Sequence, residues 1–186
     1  MIVIVEGPNG AGKSTLIKGL LEADPNSILF HKIDTKRKPH RTGADGEDFD
    51  FDKWLFALPN DAIYILDRHC TSDIVYGKAV HNSTTKQTDE AWSRFLDLCD
   101  AQPTVYIQLG TYQELAGKAY NNGRVSWTAA QYRAICDAYA KLWQDMQSLQ
   151  QVVEPSVEAS FLISARPTSG TIGRLAETLG KLYADS

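Results

Sequence analysis

Gly7-Pro8-Asn9-Gly10-Ala11-Gly12-Lys13-Ser14 is the stretch that decides the fold of this chain. It fits G-x-x-x-x-G-K-[ST], the pattern of a loop that holds the phosphates of a nucleoside triphosphate. Its flanks supply the context such a loop needs. Met1-Ile2-Val3-Ile4-Val5 is a continuous apolar run, as in a short strand buried on both faces, and Thr15 to Leu21 has the spacing of an amphipathic helix. Strand, glycine-rich loop and helix follow one another in the order the motif requires. Gly7, Gly10 and Gly12 let the backbone curl so that N–H groups point inward. The helix adds its positive N-terminal end. Lys13 is expected to reach the β- and γ-phosphates, with the Ser14 hydroxyl as a Mg²⁺ ligand. Asn9, Ala11 and Thr15 complete the expected contacts to the nucleotide, Thr15 at the α-phosphate end.

Beyond the loop, apolar runs alternate with helical patterns. Strands are expected over Ser27–Ile33, Ala62–Leu66, Thr104–Leu109 and Ala159–Ser164. Helices are expected over Glu47–Leu58, Ser72–His81, Asp89–Asp100, Thr111–Tyr120, Thr128–Gln151 and Gly170–Tyr183. Continuous apolar strands separated by helices predict a three-layer α/β fold: a five-stranded parallel sheet covered by helices on both faces, in one domain over 1–186. In such sheets ligands sit beyond the carboxyl ends of the strands. The residues that follow the strands are therefore where chemistry is expected: Glu6 and the loop, Asp34, Asp67-Arg68, Gly110 and Ala165-Arg166.

The 43% apolar content of the 186 residues is ordinary for a globular core. The net charge of −4 argues against a general polyanion binder such as a duplex DNA protein. The three cysteines, Cys70, Cys99 and Cys136, are scattered and form no C-x-x-C pair. That disfavours a disulfide scaffold or a zinc site and makes a reducing, cytoplasmic compartment the default. With the first strand at residues 1–5, no signal peptide is expected. No apolar run approaches membrane-spanning length.

Asp67-Arg68 is the second informative signal. A carboxylate ending a buried strand beside the phosphate loop is placed to hold Mg²⁺ or its water, or to orient an acceptor hydroxyl. Arg68 suits a phosphate, because its planar fork binds two oxygens. The bland alternative is an Asp–Arg pair that caps the next helix.

At this point the chain resembles a known family. Asp67-Arg68-His69-Cys70-Thr71-Ser72-Asp73-Ile74-Val75-Tyr76 is similar to the D-R-[YFH]-x-x-S-x-x-x-[YF] segment of thymidylate kinases. Glu6 to Thr15 resembles that family's E-G-x-D-G-x-G-K-S-T. Gln102 to Leu109 is similar to its fourth strand, which leads through a helix to a basic lid. The shortened build also resembles thymidylate-kinase-like proteins of bacteriophages, for which the compartment is the host cytoplasm. The resemblance implies phosphoryl transfer from ATP, with Mg²⁺, to a small-molecule nucleotide acceptor, usually dTMP. It carries Arg68, Ser72 and Tyr76 to the acceptor pocket and Asp67 to the metal. It also implies a lid at about 117–127, where Arg124 is the favoured cation over Lys118 and Arg133. Arg166 would stand against the adenine. Thymidylate kinases are commonly homodimers, and the helices after Asp67 are the segment expected to form such an interface.

The departures fall on the acceptor side. The family's acidic-Pro-Gly motif is reduced here to Asp34 and then Thr35 to Pro39. The helix bearing the base-stacking aromatic is cut down, leaving Trp54 and Phe51 as candidates. The basic run Lys36–Arg41 fits an acceptor phosphate or a single-stranded nucleic acid, although a solvated loop is the favoured reading. Three functions stay open: a kinase of a nucleoside monophosphate, a kinase of a deoxynucleoside or hydroxymethylated pyrimidine on the same scaffold, and a nucleotide-driven switch. The last lacks the N-K-x-D motif expected of a GTPase.

Overall fold

The computed structural model describes residues 1–23, 30–33, 51–59, 61–81, 83–110, 120, 121, 123, 126–152, 159–164 and 166–185. Strand β1 (Ile2–Glu6) is buried along its whole length. It is the central member of a five-stranded sheet that also contains β2 (Phe30–Ile33), β3 (Ile63–Asp67), β4 (Thr104–Leu109) and β7 (Ala159–Ile163). Their order is β2-β3-β1-β4-β7, and all pairings are parallel. The five expected strands are thus present. After β1 the chain crosses to one side of it, through β2 and β3, and then to the other, through β4 and β7. That reversal opens a crevice at the carboxyl end of β1, where the phosphate loop begins.

Successive side chains of a strand point to opposite faces, and β1 divides accordingly. Ile2 and Ile4 join Leu66 and Tyr106 beneath helices α2 (Phe51–Phe56), α3 (Thr71–Tyr76), α4 (Thr85–Ala101) and α5 (Ala129–Val152). Val3 and Val5 join Ile65 and Ile107 on the opposite face, against α1 (Lys13–Ala23) and α6 (Ser169–Asp185). Leu16, Ile17 and Leu20 of α1, and Leu175 and Leu179 of α6, are the helical stripes that close this second face. Each such leucine is worth about 2–5 kcal/mol against alanine.

The helix starts are written locally. Thr84 and Gln87 form a capping box at α4, the Gln87 amide donating to Thr84 Oγ1 at 3.3 Å and the Thr84 amide donating to Gln87 Oε1 at 3.0 Å. Thr128 and Gln131 do the same for α5. The Thr84 box corrects the expected start at Asp89. The expected helix Ser72–His81 is also revised: α3 ends at Tyr76 and continues as a π-helical turn, Gly77–His81. The Ser83 amide donates to the Gly77 carbonyl at 3.0 Å, drawing the next segment against the helix.

A further correction concerns Tyr120, expected to end a helix. Residues 111–119 lie outside the described residues, and Tyr120–Asn121 is strand β5, antiparallel to β6 (Ser126–Trp127). Gly123, at φ +79°, donates to Asn121 Oδ1 at 2.8 Å, a turn that brings the two strands together. No helix among the described residues is long and apolar enough to cross a membrane.

Candidate active site

The phosphate loop packs so tightly that two glycines have no substitute. A Cβ on Gly7 (φ +139°) would lie 2.7 Å from the Leu109 carbonyl oxygen, and one on Gly12 (φ +94°) would lie 2.9 Å from Pro167 Cδ. Lys13 is buried, and its ammonium donates to the Gly7 and Pro8 carbonyls at 2.8 and 2.9 Å. Ser14 and Thr15 are exposed on the first turn of α1. Ala11 is buried in the core beneath the loop. The contact between Gly12 and Pro167 brings exposed Arg166 to the rim of the loop, on the side expected for the base of the nucleotide.

Asp67 closes β3 in register with Val5, so its carboxylate leaves the sheet beside the start of the loop. Arg68 follows at φ +79°. Such backbone in a bulky residue costs of order 1–3 kcal/mol and persists only where its surroundings hold it. Here the guanidinium is held on three sides. Nη2 donates to Asn9 Oδ1 at 2.8 Å, and Nη1 donates to Tyr139 Oη at 2.6 Å and Ser72 Oγ at 3.2 Å. The guanidinium carbon also sits 5.1 Å from the centre of the Tyr76 ring. Burial works against the charge of Arg68. Tyr139 and Glu6 outweigh that, and its pKa is raised.

Beneath Arg68 lies Glu6, fully buried. Its carboxylate accepts from Ser72 Oγ at 2.7 Å, Thr71 Oγ1 at 2.9 Å, the His69 amide at 2.9 Å and Tyr139 Oη at 3.0 Å. Arg68 Nη1 stands 3.9 Å from it. Burial pushes the Tyr139 phenol well above its ordinary pKa, so it keeps the proton it donates. Tyr139 was not singled out from sequence, and Glu6 was marked only as a strand-end position, with no partners. Glu6 stands in the quoted motif, but only a fold brings its partners to it.

A cavity of about 590 Å³ opens from this point. Asn9, Arg68, Ser72 and Tyr76 line its inner end, and Trp127 of β6 lines it as well. Three of the expected acceptor residues therefore meet in one place. Asn9, expected to serve the triphosphate, presents its side chain to Arg68 and the cavity. The Tyr132 hydroxyl donates to the Asn9 carbonyl, fixing the loop from α5. The wall opposite includes Gln87, Glu90 and Arg94, on one face of α4, and Asp73 of α3. Arg94 was also missed from sequence. Its Nε donates to Asp52 Oδ2 at 2.7 Å, and its Nη1 is 3.9 Å from Asp73. Contact with His69, helped by Arg94 and opposed by burial, holds the Asp52 carboxyl well below the usual range.

Trp54 lies elsewhere. It is 40% exposed on α2, its ring 5.7 Å from that of Phe51, and it does not line the cavity. Asp34, Lys118 and Arg124 lie outside the described residues, as does most of the expected lid. Arg133 is exposed on α5. Within the segment expected to be a lid, the Tyr120 ring lies over Gly10, stacked on Tyr132 at 5.6 Å. Among the described residues no three His, Cys, Asp or Glu side chains gather as a metal cage. Mg²⁺ does not need one, since it takes few protein ligands and keeps water and phosphate oxygens. The hard oxygens of Ser14 and Asp67 fit that habit.

No family model matches the chain. Among curated proteins it is similar to guanylate kinases. It is 43% identical over 51 residues to that of Helicobacter hepaticus, covering 27% of this chain and 24% of the relative. It is 37% identical over 67 residues to that of Bordetella pertussis, covering 36% and 31%. The chain therefore spans about a quarter to a third of these relatives' length. Solved structures match over the whole chain. Polyphosphate kinase 2 of Pseudomonas aeruginosa superposes with a TM-score of 0.65 at 15% identity, over 99% of this chain and 38% of that one. The YorR protein of Bacillus subtilis, solved with phosphorylated GDP, gives 0.59 at 17% identity, over 100% and 99%. The chain shares with these proteins a three-layer α/β fold in which the first strand of a parallel sheet leads into a phosphate loop.

Proposed function

We propose that the protein transfers the γ-phosphoryl group of ATP to the phosphate of a nucleoside monophosphate. One observation carries this reading: a second anion site, Arg68, is tied to the phosphate loop through Asn9 and opens into a cavity of about 590 Å³. That volume falls in the usual range of small-molecule sites, roughly 300–1,000 Å³. A nucleotide switch acts on water and needs no pocket for a second substrate beside its loop.

Each group has a role in this reading. The loop, with Lys13, holds the donor phosphates, and Arg166 stands at the base. Arg68 grips the acceptor phosphate and brings it toward the donor, in a reaction where catalysis is mostly positioning and electrostatics. Ser72 and Tyr76 shape the acceptor end. Mg²⁺, when bound, neutralises charge on the β- and γ-phosphates, and Ser14 and Asp67 are the residues to hold it. Arg124 is the candidate cation of the lid, and Asp34 is a further candidate for the acceptor side.

Two acceptors have separate grounds. The motif around Asp67-Arg68 resembles thymidylate kinases and favours dTMP. The curated relatives are guanylate kinases, and the cavity wall carries Asp73, Glu90 and Arg94. Carboxylates only accept hydrogen bonds. A guanine edge offers N1–H and N2–H₂ to a carboxylate and O6 to an arginine, whereas thymine offers one N–H.

The test is ADP release from Mg-ATP across dTMP, GMP, dGMP, the other deoxynucleoside monophosphates, hydroxymethylated pyrimidine nucleotides, free deoxynucleosides and single-stranded DNA. A strong rise with one monophosphate supports the proposal and names the acceptor. A rise only with nucleosides or DNA, or hydrolysis indifferent to acceptor, overturns it.

A further inference from the structure

We propose that Glu6 is the positioning residue of the acceptor arginine: a buried carboxylate that fixes the Arg68 fork through the paired hydroxyls of Ser72 and Tyr139. The consequence for the acceptor rests on the kinase reading; the positioning itself rests on geometry alone. Glu6 is the last residue of β1, immediately ahead of the phosphate loop, and none of its surface reaches solvent. A carboxylate so placed needs partners for its lone pairs and a counter-charge nearby.

It has both. Ser72 and Tyr139 each accept from Arg68 Nη1, at 3.2 and 2.6 Å, and each donates to Glu6 Oε2, at 2.7 and 3.0 Å. The two hydroxyls therefore run their hydrogen bonds in one direction, from cation to anion. A hydroxyl donates once, so the direction of both relays is set by Glu6 being acceptor-only. Thr71 Oγ1 and the His69 amide occupy the other oxygen, at 2.9 Å each, and keep the carboxylate from turning away. Their segment is the same one that carries Arg68. With Nη1 used twice and Nη2 bonded to Asn9, the guanidinium plane is fixed. Three of its five N–H donors are spent on these described partners, and the fork so held lines the cavity. Replacing Glu6 by glutamine puts an NH₂ against a hydroxyl that must then reverse, and removes the counter-charge 3.9 Å from Arg68.

The experiment uses the full chain and three variants: Glu6→Gln, Tyr139→Phe and Arg68→Ala, each checked for folding by its melting transition. Tyr139→Phe removes one relay hydroxyl and keeps the test open if Glu6→Gln fails to fold. Two signals are read. The first is the Arg68 side-chain N–H resonance in a nitrogen-15 arginine-labelled sample, assigned by its loss in Arg68→Ala. The second is the affinity for the monophosphates of the panel above and for ATP, by calorimetry. In Glu6→Gln and Tyr139→Phe the Arg68 resonance is expected to move to the averaged position of exposed arginines. Monophosphate affinity is expected to fall about tenfold or more, the scale of a lost charge-assisted bond. ATP affinity stays within about twofold, and neither change weakens the acceptor further in the Arg68→Ala background. An Arg68 resonance that does not move overturns the inference. So does an equal loss of ATP and acceptor affinity, or a full Glu6→Gln effect in the absence of Arg68. A resonance that moves in a protein that binds no monophosphate upholds the positioning role and sinks the kinase reading instead.

Discussion

Lys13 and Arg68 are cations on either side of Asn9, and they are wired differently. Lys13 is anchored by two carbonyls of its own loop, within six residues. Arg68 is anchored from β1, the loop and α5, with partners up to 71 residues away. Lys13→Ala is therefore expected to cut turnover about 10²–10³-fold, the usual cost of one transition-state electrostatic partner, while the protein remains folded. Arg68→Ala is expected to raise the acceptor KM more than the ATP KM. Steady-state kinetics with each substrate varied in turn separates the two, and near-normal turnover in Lys13→Ala defeats the reading of the loop. The same contrast explains what was legible in the sequence. Gly7 to Ser14 could be read because the chemistry depends on spacing within eight residues. Glu6 could be marked as a strand-end position, but its role could not be read, because its partners lie 63 to 133 residues downstream and only the sheet brings them together.

Elements differ in legibility for a related reason. The five strands of the main sheet are apolar runs, and burial on both faces makes them visible. The β5–β6 hairpin has only Tyr120-Asn121 and Ser126-Trp127 to announce it, so a helical pattern upstream masks it. Helix α1 raises another matter, the glycine at its centre. A Cβ on Gly19 would lie 2.6 Å from Ile172 Cδ1 and 2.9 Å from its Cγ2, so α1 and α6 approach closely there. Alanine gains about 1 kcal/mol in helix propensity, but overpacking costs about 1–3 kcal/mol. Gly19→Ala is expected to destabilise by about 1 kcal/mol in chemical unfolding, and the loss should vanish in an Ile172→Ala background; a more stable Gly19→Ala counts against this packing.

Asp52 of α2 ties that helix to Arg94 of α4 and to His69. Its pKa is depressed in the folded protein, so its contribution is complete above the unfolded value of about 4 and fades as pH falls toward the folded one. Arg94 is 45% exposed, which limits the pair to about 1 kcal/mol. Asp52→Asn should lower the melting temperature by about 2–4 °C at pH 7, with the gap closing below about pH 4. A gap that is constant with pH would show that the charge is irrelevant.

At the scale of the whole molecule, three layers bury all three cysteines, none of them in a disulfide. Burial pushes the Cys99 thiol up to about 12 and that of Cys136 to about 11, and raises Cys70 further. At pH 8 a thiol reagent should leave all three unlabelled in the folded protein and reach them only as it unfolds. Rapid labelling of the native protein would contradict this packing. The layer plan was readable from the alternation of strands and helices. Of the cavity beside Arg68 only Arg68, Ser72 and Tyr76 were readable, since its other walls come from the π turn, α4 and β6, and no local pattern marks their meeting.

Trp127 gives that cavity an optical property. Of the four tryptophans, it alone lines the space, its ring 6.1 Å from Tyr76 and its indole N–H buried with no hydrogen-bond partner among the described residues. Trp92 and Trp143 pack against the core instead, and Trp54 lies out on α2. An indole so placed changes its emission when an aromatic ligand arrives or its N–H finds an acceptor. The protein therefore carries its own gauge of occupancy: ligand entry should be seen as a change in fluorescence that Trp127→Phe abolishes, with no label and no coupled assay.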